Sequence, residues 1–249
     1  MDFKDQRVLI TGSTRGIGRA AASAFLEQGA RVAINGRREA DVERAIGELG
    51  SDRLVAAAGD LASADACRSV VESAIRGLGG LDVLVNNAGI YSDGPVEMVD
   101  ESTYDRMMDV NVKGVFFCSN AAIPSLRESG GNIVNTSSEC GIVGFAGMSL
   151  YCASKGAVSN LTRAMASELA PTVRVNAVCP AAVMTDMTGD GIAPSKLDDY
   201  LNELRDSSLM KYIAQPEEIA DAILYLANPR SRFVTGSMLS VDGGSTGCR

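Results

Sequence analysis

Tyr151 and Lys155 stand four residues apart in the stretch SLYCASKGAVSNL, which otherwise suits a buried helix. At that spacing a phenol and an ammonium share one helical face, one turn apart. A free phenol titrates near ~10, too high for a base at neutral pH, and a neighbouring ammonium favours the phenolate. The pair predicts acid–base work on a carbonyl or an alcohol: a proton given to a ketone oxygen in reduction, or taken from a hydroxyl in oxidation. Ser138, just past the strand-like run NIVNTS, places a hydroxyl where it can hold the same oxygen. The chain has no histidine, which removes Ser-His-Asp and Cys-His catalysis, His-ligated zinc and any imidazole base. The Gly-x-Ser-x-Gly pattern at Gly243–Gly247 therefore reads as a turn, not as a nucleophile elbow.

A second chemical feature opens the chain. VLITGSTRGIGRAAASAFLEQGA reads as strand, glycine loop and helix. Gly12, Gly16 and Gly18 allow a tight turn and a close approach to a ligand, and the first N–H groups of the new helix suit an anion. The spacing Gly-x-x-x-Gly-x-Gly differs from the commoner dinucleotide fingerprint, and no Gly-Lys-Ser/Thr follows as in a mononucleotide loop.

Apolar runs rich in β-branched residues recur at 7–11, 31–35, 54–58, 81–86, 132–137, 173–178 and 237–241. Helix-period stretches lie between them, over 17–28, 38–49, 63–77, 101–128, 150–170 and 216–227. This alternation predicts an α/β fold: a doubly wound parallel β-sheet of about seven strands with helices on both faces. At 249 residues one domain over 1–249 is expected. The rhythm breaks from Ala181 to Gln215, where Gly189, Gly191 and Pro194 interrupt it; 181–215 is a candidate substrate lid.

Composition narrows the function classes. The 23 basic and 31 acidic residues give a net charge of −8, which disfavours nucleic acid or an anionic membrane as partner. No run approaches the ~18 apolar residues of a membrane span, and MDFKDQ carries no targeting segment, so a cytoplasmic protein is expected. The six cysteines (67, 118, 140, 152, 179, 248) include no Cys-x-x-Cys pair and read as reduced thiols.

Thr11–Gly18, Asp60-Leu61, Asn86-Asn87-Ala88-Gly89, Ser138 and Tyr151-x-x-x-Lys155 together resemble, in order and register, the signatures of the short-chain dehydrogenase/reductase family. The resemblance implies a single-domain Rossmann-type oxidoreductase whose cofactor meets Gly12, Ser13, Thr14, Arg15, Gly16, Ile17 and Gly18. It further implies that Asp60 meets the adenine edge beside Leu61, and that Asn87, Ala88 and Gly89 run along the adenosine side; Asn87 alternatively ties adjacent strands together. Lys155 would also bind the nicotinamide ribose, and Asn111 would hold a water that extends a proton relay from Lys155. Pro180, Val183 and Thr185 match the nicotinamide loop, although Ala181 stands where the family has glycine and loses easy access to positive φ.

At the end of the second strand an acidic residue would bond the ribose hydroxyls of NAD and repel a 2′-phosphate. Here Gly36 occupies that place, followed by Arg37 and Arg38, with Arg15 in the glycine loop. Three guanidinium groups favour NADP over NAD, unless Arg37 and Arg38 are simply solvated at a helix start. By analogy Tyr91, Cys140, Phe145, Met184 and Met187 face the substrate, a small molecule. From Ala181 to Tyr212 six acids (Asp186, Asp190, Asp198, Asp199, Glu203, Asp206) outnumber Lys196, Arg205 and Lys211, which argues against a highly anionic carrier. A neutral ketone or secondary alcohol of modest size is expected. The alternatives are a 3-oxoacyl thioester reductase, a non-catalytic NADP(H)-binding sensor and a structural scaffold. A homotetramer pairing through 101–128 and 150–170 is expected from the resemblance, with Phe116, Phe117, Val158 and Met165 as apolar contacts, unless those helices only cover the sheet.

Overall fold

The computed structural model describes residues 2–189 and 192–247; Asp190, Gly191 and Cys248 lie outside them. Each central strand sends alternate residues into two separate cores, because side chains in an extended chain point to opposite faces. Val8, Ile10, Val32, Ile34, Val83, Val85 and Val134 enter one core; Leu9, Ala33, Leu84 and Ile133 enter the other. Both faces are covered, which is why these strands read as unbroken apolar runs.

The strands are β1 (Arg7–Ile10), β2 (Arg31–Ile34), β3 (Leu54–Ala56), β4 (Val83–Asn86), β5 (Asn132–Thr136), β6 (Arg174–Pro180) and β7 (Met238–Val241). All pair in parallel, in the order β3-β2-β1-β4-β5-β6-β7. The direction of growth reverses between β1 and β4, which opens a crevice at the carboxyl ends of these strands. Helices α1 (Gly16–Glu27), α2 (Glu39–Leu49) and, near the end of the chain, Pro216–Ala227 pack on the first core through Phe25, Val42, Ile219 and Ile223. On the second core lie α3 (Ala64–Leu78), Gly114–Ser129 and Ser149–Leu169, through Val70, Leu126 and Met165.

Two stretches depart from the periodicity. The single helix expected over 101–128 is divided into α4 (Glu101–Met108) and α5 (Gly114–Ser129) by a wide π turn over Asp109–Lys113. Such a turn carries one more residue than the α-helical ladder accommodates, and it falls on Asn111. Gly114 follows at a tight approach, since an added Cβ would stand 3.1 Å from the Leu61 carbonyl oxygen. In the segment 181–215 the chain forms a further helix, α7 (Pro194–Ser207). Pro194 begins this helix instead of interrupting it, because a first-turn N–H has no intrahelical partner to lose. The last helices are thus α6 (Ser149–Leu169), α7 and α8 (Pro216–Ala227).

Candidate active site

The loop after β1 is held by residues whose polar groups are spent internally. Asn87 Nδ2 donates to the Thr11 and Gly12 carbonyls at 3.0 and 3.1 Å, and the Asn87 and Ala88 N–H groups donate to Thr11 Oγ1 at 2.9 and 3.0 Å. Asn87 therefore ties β4 to β1. Ser13 is buried; its hydroxyl donates to the Ile10 carbonyl at 2.7 Å and accepts from the Asn35 N–H at 3.0 Å. Asn35, which the sequence reading passed over, accepts from the Gly12 N–H and donates to the Ala57 carbonyl, 3.0 and 2.8 Å. The detectable signal was a lone amide at the end of an apolar strand.

With the loop so fixed, the start of α1 faces a cavity of about 640 Å³. No side chain caps this helix and its first turn holds no acid, so its leading N–H groups are left for an anion. Gly12 has φ +62°, and a Cβ there would meet Ala88 Cα at 2.8 Å. A bare glycine surface beside open N–H groups fits the pyrophosphate of a dinucleotide.

The opposite wall carries the candidate acid–base group. Thr136, Ser138, Tyr151 and Lys155 all line this cavity. Ser138 lies two residues past β5; its hydroxyl accepts from the Cys140 N–H at 3.1 Å, opening a turn over Glu139–Gly141, and donates to the Pro180 carbonyl at 3.4 Å. Lys155 is buried and donates from Nζ to the Thr136 carbonyl at 2.8 Å, with the ammonium 5.7 Å from the centre of the Tyr151 ring. Tyr91 stacks edge-on against Tyr151, ring centres 5.1 Å apart, and its hydroxyl donates to Asp93 at 3.0 Å. Thr136 Oγ1 is buried with no partner, an orphan beside Lys155 that a ribose hydroxyl would satisfy.

Burial dominates the electrostatics. It pushes the Tyr151 phenol above its ordinary value, and the nearby Ser138 hydroxyl pulls the other way. It pushes Lys155 down to about 8. The sequence-based expectation that Lys155 holds the phenol below its ordinary value is thus not met in this arrangement, because the ammonium is turned to Thr136 and sits beside the ring. Between about pH 8 and 10.5 the unfolded chain holds a lysine proton that the native state has released, so this group adds stability as pH rises through that window. Below it the burial penalty is present in full, about 3 kcal/mol, offset by about 1 kcal/mol from the Thr136 bond. Lys155→Met, which keeps the stem, is expected to melt about 5 °C higher than wild type at pH 7. The gap should close by pH 9.5; thermal unfolding at both values checks it, and a variant that melts lower at pH 7 sinks the assignment.

Of the predicted residues, Gly12, Thr14, Arg15, Gly16, Ile17, Arg37 and Arg38 line the cavity, as do Asp60, Leu61, Asn87, Ala88, Gly89, Pro180, Val183 and Thr185. Ser13 and Gly18 lie behind this surface. Asn111 does too: its amide donates to the Ile90 carbonyl and the Ser154 hydroxyl and accepts from the Ile90 N–H, at 2.9, 3.1 and 2.8 Å. A Cβ on Gly89 would stand 3.3 Å from Asn111 Oδ1 and 3.5 Å from Lys155 Nζ, so the three meet. Asp60 pairs with Arg106 at 3.0 Å, a partner the sequence did not suggest. Arg38 pairs with Asp41 at 2.6 Å, and Arg15 reaches Asp186 at 3.4 Å. Ala181 has no positive φ, so the loss of glycine there does not strain the loop. Among the analogy-based residues Tyr91, Cys140 and Met187 line the cavity, and Phe145 and Met184 do not.

A nucleotide-ready helix start, a reversal in strand order and a lysine–tyrosine–serine wall on one crevice define a nicotinamide-dependent oxidoreductase of the Rossmann type. The chain belongs to the short-chain dehydrogenase/reductase family. A family profile described as enoyl-(acyl carrier protein) reductase matches residues 12–246. The chain is 40% identical to 2-(S)-hydroxypropyl-CoM dehydrogenase 3 of Xanthobacter autotrophicus, over 98% of each protein. It is 38% identical to meso-2,3-butanediol dehydrogenase of Serratia marcescens, over 99% of this chain and 96% of that one. A 3-ketoacyl-(acyl-carrier-protein) reductase from Brucella melitensis, solved with NADH, superposes with a TM-score of 0.90 at 34% identity, covering 98% of this chain and 99% of its own. The protein is an NAD(P)-dependent oxidoreductase acting on an alcohol or ketone.

Proposed function

We propose that the protein moves a hydride between NADP(H) and a ketone or secondary alcohol of modest size, with Tyr151 as the general acid and base. The observation that carries this reading is that Ser138, Tyr151 and Lys155 stand on one wall of a cavity that runs unbroken to the glycine loop. The cofactor, when bound, supplies or accepts the hydride. Ser138 holds the reacting oxygen, Tyr151 gives or takes its proton, and Lys155 faces the Thr136 carbonyl where ribose hydroxyls would bind. Asn111 acts as a positioning residue, clamping the loop after β4 against α6. Residues 181–215 act as a lid on a single domain over 1–249: Asp186, Met187, Tyr200 and Leu204 line the cavity, and Asp186 reaches Arg15 across its mouth.

Arg37 supports NADP over NAD, since among the described residues it has no ion-pair partner while it lines the adenosine end. Each charge-assisted contact to a phosphate is worth about 1.5–3 kcal/mol. In Arg37→Glu, kcat/KM with NADPH is expected to fall about 100-fold, with NADH unaffected or improved. Rates with both cofactors, over a panel of ketones, acyl thioesters and sugars, check the reading. A wild type indifferent to the 2′-phosphate would overturn the choice of NADP, and a strong preference for a thioester would overturn the substrate class.

A homotetramer in the cytoplasm completes the reading. Among the described residues no helix is long and apolar enough to cross a membrane. On α5, Phe116 stays 43% exposed and offers an apolar contact, whereas Val158 and Met165 are buried within the subunit and take no part in such a face.

A further inference from the structure

The cavity changes character past Tyr151, where Tyr91, Cys140, Met148, Met187, Tyr200 and Leu204 line it. The polar atoms of this end are spent within the protein. The Tyr91 hydroxyl donates at 3.0 Å to Asp93, which is not part of the lining, so its polar tip leaves the cavity and its ring remains. The Cys140 thiol donates to Met148 Sδ at 3.8 Å, and the Thr188 hydroxyl donates to the Val183 carbonyl. Both backbone groups of Ile90 are taken up by the Asn111 amide, at 2.8 and 2.9 Å. Glu139 also lines this end, but Ser245 donates to its carboxylate and a further interaction holds it. Burial, and after it the Asp93 charge, keeps the Tyr200 phenol protonated above its ordinary value. Nor is a cation offered to the substrate. Of the five arginines lining the cavity, Arg15, Arg38, Arg44 and Arg106 are paired with Asp186, Asp41 and Asp60, and Arg37 belongs to the adenosine end.

We propose that the group bonded to the reacting carbon is an aromatic ring, so that the substrate is an aryl ketone or the matching benzylic secondary alcohol. The inference rests on the ketone–alcohol reading above and names its substrate. Ser138, whose bond to the Pro180 carbonyl is long at 3.4 Å, and Tyr151 remain for one substrate oxygen. A ring on the reacting carbon then falls beside Tyr91, whose own ring stands edge-on to Tyr151 with centres 5.1 Å apart. Aromatic rings favour such edge-on and offset contacts, and methionine sulfur favours ring edges. Met148, Met187 and Leu204 complete the apolar enclosure. A second hydroxyl, a carboxylate or a phosphate would lose its water here and find no partner. In oxidation the carbinol carbon gives a hydride, with its two electrons, to the oxidised nicotinamide; its hydroxyl gives a proton to the base form of Tyr151, and a C=O bond replaces C–H and O–H.

The test compares 1-phenylethanol with 1-cyclohexylethanol, equal in carbon count but without the flat ring, and with butane-2,3-diol, in wild type, Tyr91→Leu and Tyr91→Phe. Wild type is expected to favour 1-phenylethanol about 5-fold in kcat/KM over the cyclohexyl alcohol and at least about 20-fold over the diol. Tyr91→Leu should bring the phenyl-to-cyclohexyl ratio near one, whereas Tyr91→Phe, which keeps the ring and gives up only the bond to Asp93, should retain it. If Tyr91→Leu is inactive on both alcohols, the ratios of wild type and Tyr91→Phe decide. A wild type that oxidises the cyclohexyl alcohol or the diol as fast as 1-phenylethanol overturns the inference and leaves the ketone–alcohol reading intact. So does a ratio undiminished in Tyr91→Leu or lost in Tyr91→Phe. No turnover of any of these alcohols, nor of acetophenone, acetoin or butan-2-one with NADPH or NADH, sinks the parent reading instead.

Discussion

Tyr151→Phe is expected to lower kcat by about 1,000-fold, with cofactor affinity changed no more than a few-fold. The substitution deletes one hydroxyl and keeps the ring, so the edge-on contact with Tyr91 at 5.1 Å survives and α6 packs as before. What disappears is the group proposed to give or take the substrate's proton. Wild-type oxidation should also accelerate with pH, because burial holds the phenol protonated above its ordinary value and the base form appears only on the alkaline side. In Tyr151→Phe that rise should be absent. Nicotinamide fluorescence, thermal unfolding and a pH series of kcat/KM separate the effects: a variant that binds, melts normally and still turns over above a tenth of wild type removes Tyr151 from the reaction.

That Ser138, Tyr151 and Lys155 share one wall was legible because its parts are local. A Tyr-x-x-x-Lys spacing fixes a shared helical face whatever the tertiary structure, and a hydroxyl after an apolar run falls at a strand's end. Strand alternation was legible for the same reason: Val8, Leu9 and Ile10 read as one apolar run because two cores receive them in turn. What escaped depends on partners distant in sequence. That Lys155 meets the Thr136 carbonyl, that Arg106 meets Asp60 and that Ser245 meets Glu139 cannot be read from any window of the chain. Ser13 is instructive, since its place in the motif suggests a ligand contact while the ends of the paired strands β1 and β2 take up its hydroxyl. The π turn at Asn111 was hidden because helical periodicity on either side runs on through it. Pro194 misled for a simpler reason: the same residue stops a helix from within and starts one at its first turn.

Gly18→Ala should be the most damaging single-methyl change in the cofactor loop. An added Cβ would stand 2.4 Å from the Gly12 carbonyl oxygen, 2.5 Å from Asn87 Nδ2 and 2.9 Å from Ser13 Cα. None of these can yield cheaply, since Asn87 is tied to the Thr11 and Gly12 carbonyls and Ser13 is enclosed between β1 and β2. Relief requires the loop to shift off the start of α1, which both strains the fold and displaces the N–H groups aimed at the cavity. The expected loss is about 3 kcal/mol, read as a melting point lower by about 10 °C, with nicotinamide cofactor binding weakened about 100-fold. Gly47, inside α2, provides the contrast: a Cβ there meets nothing within 4 Å, and Gly47→Ala should stabilise by about 0.5–1 kcal/mol with binding unchanged. Thermal unfolding and cofactor titration of both variants check the pair. If Gly18→Ala melts and binds like wild type, the close packing of α1 against the loop does not set the cofactor site.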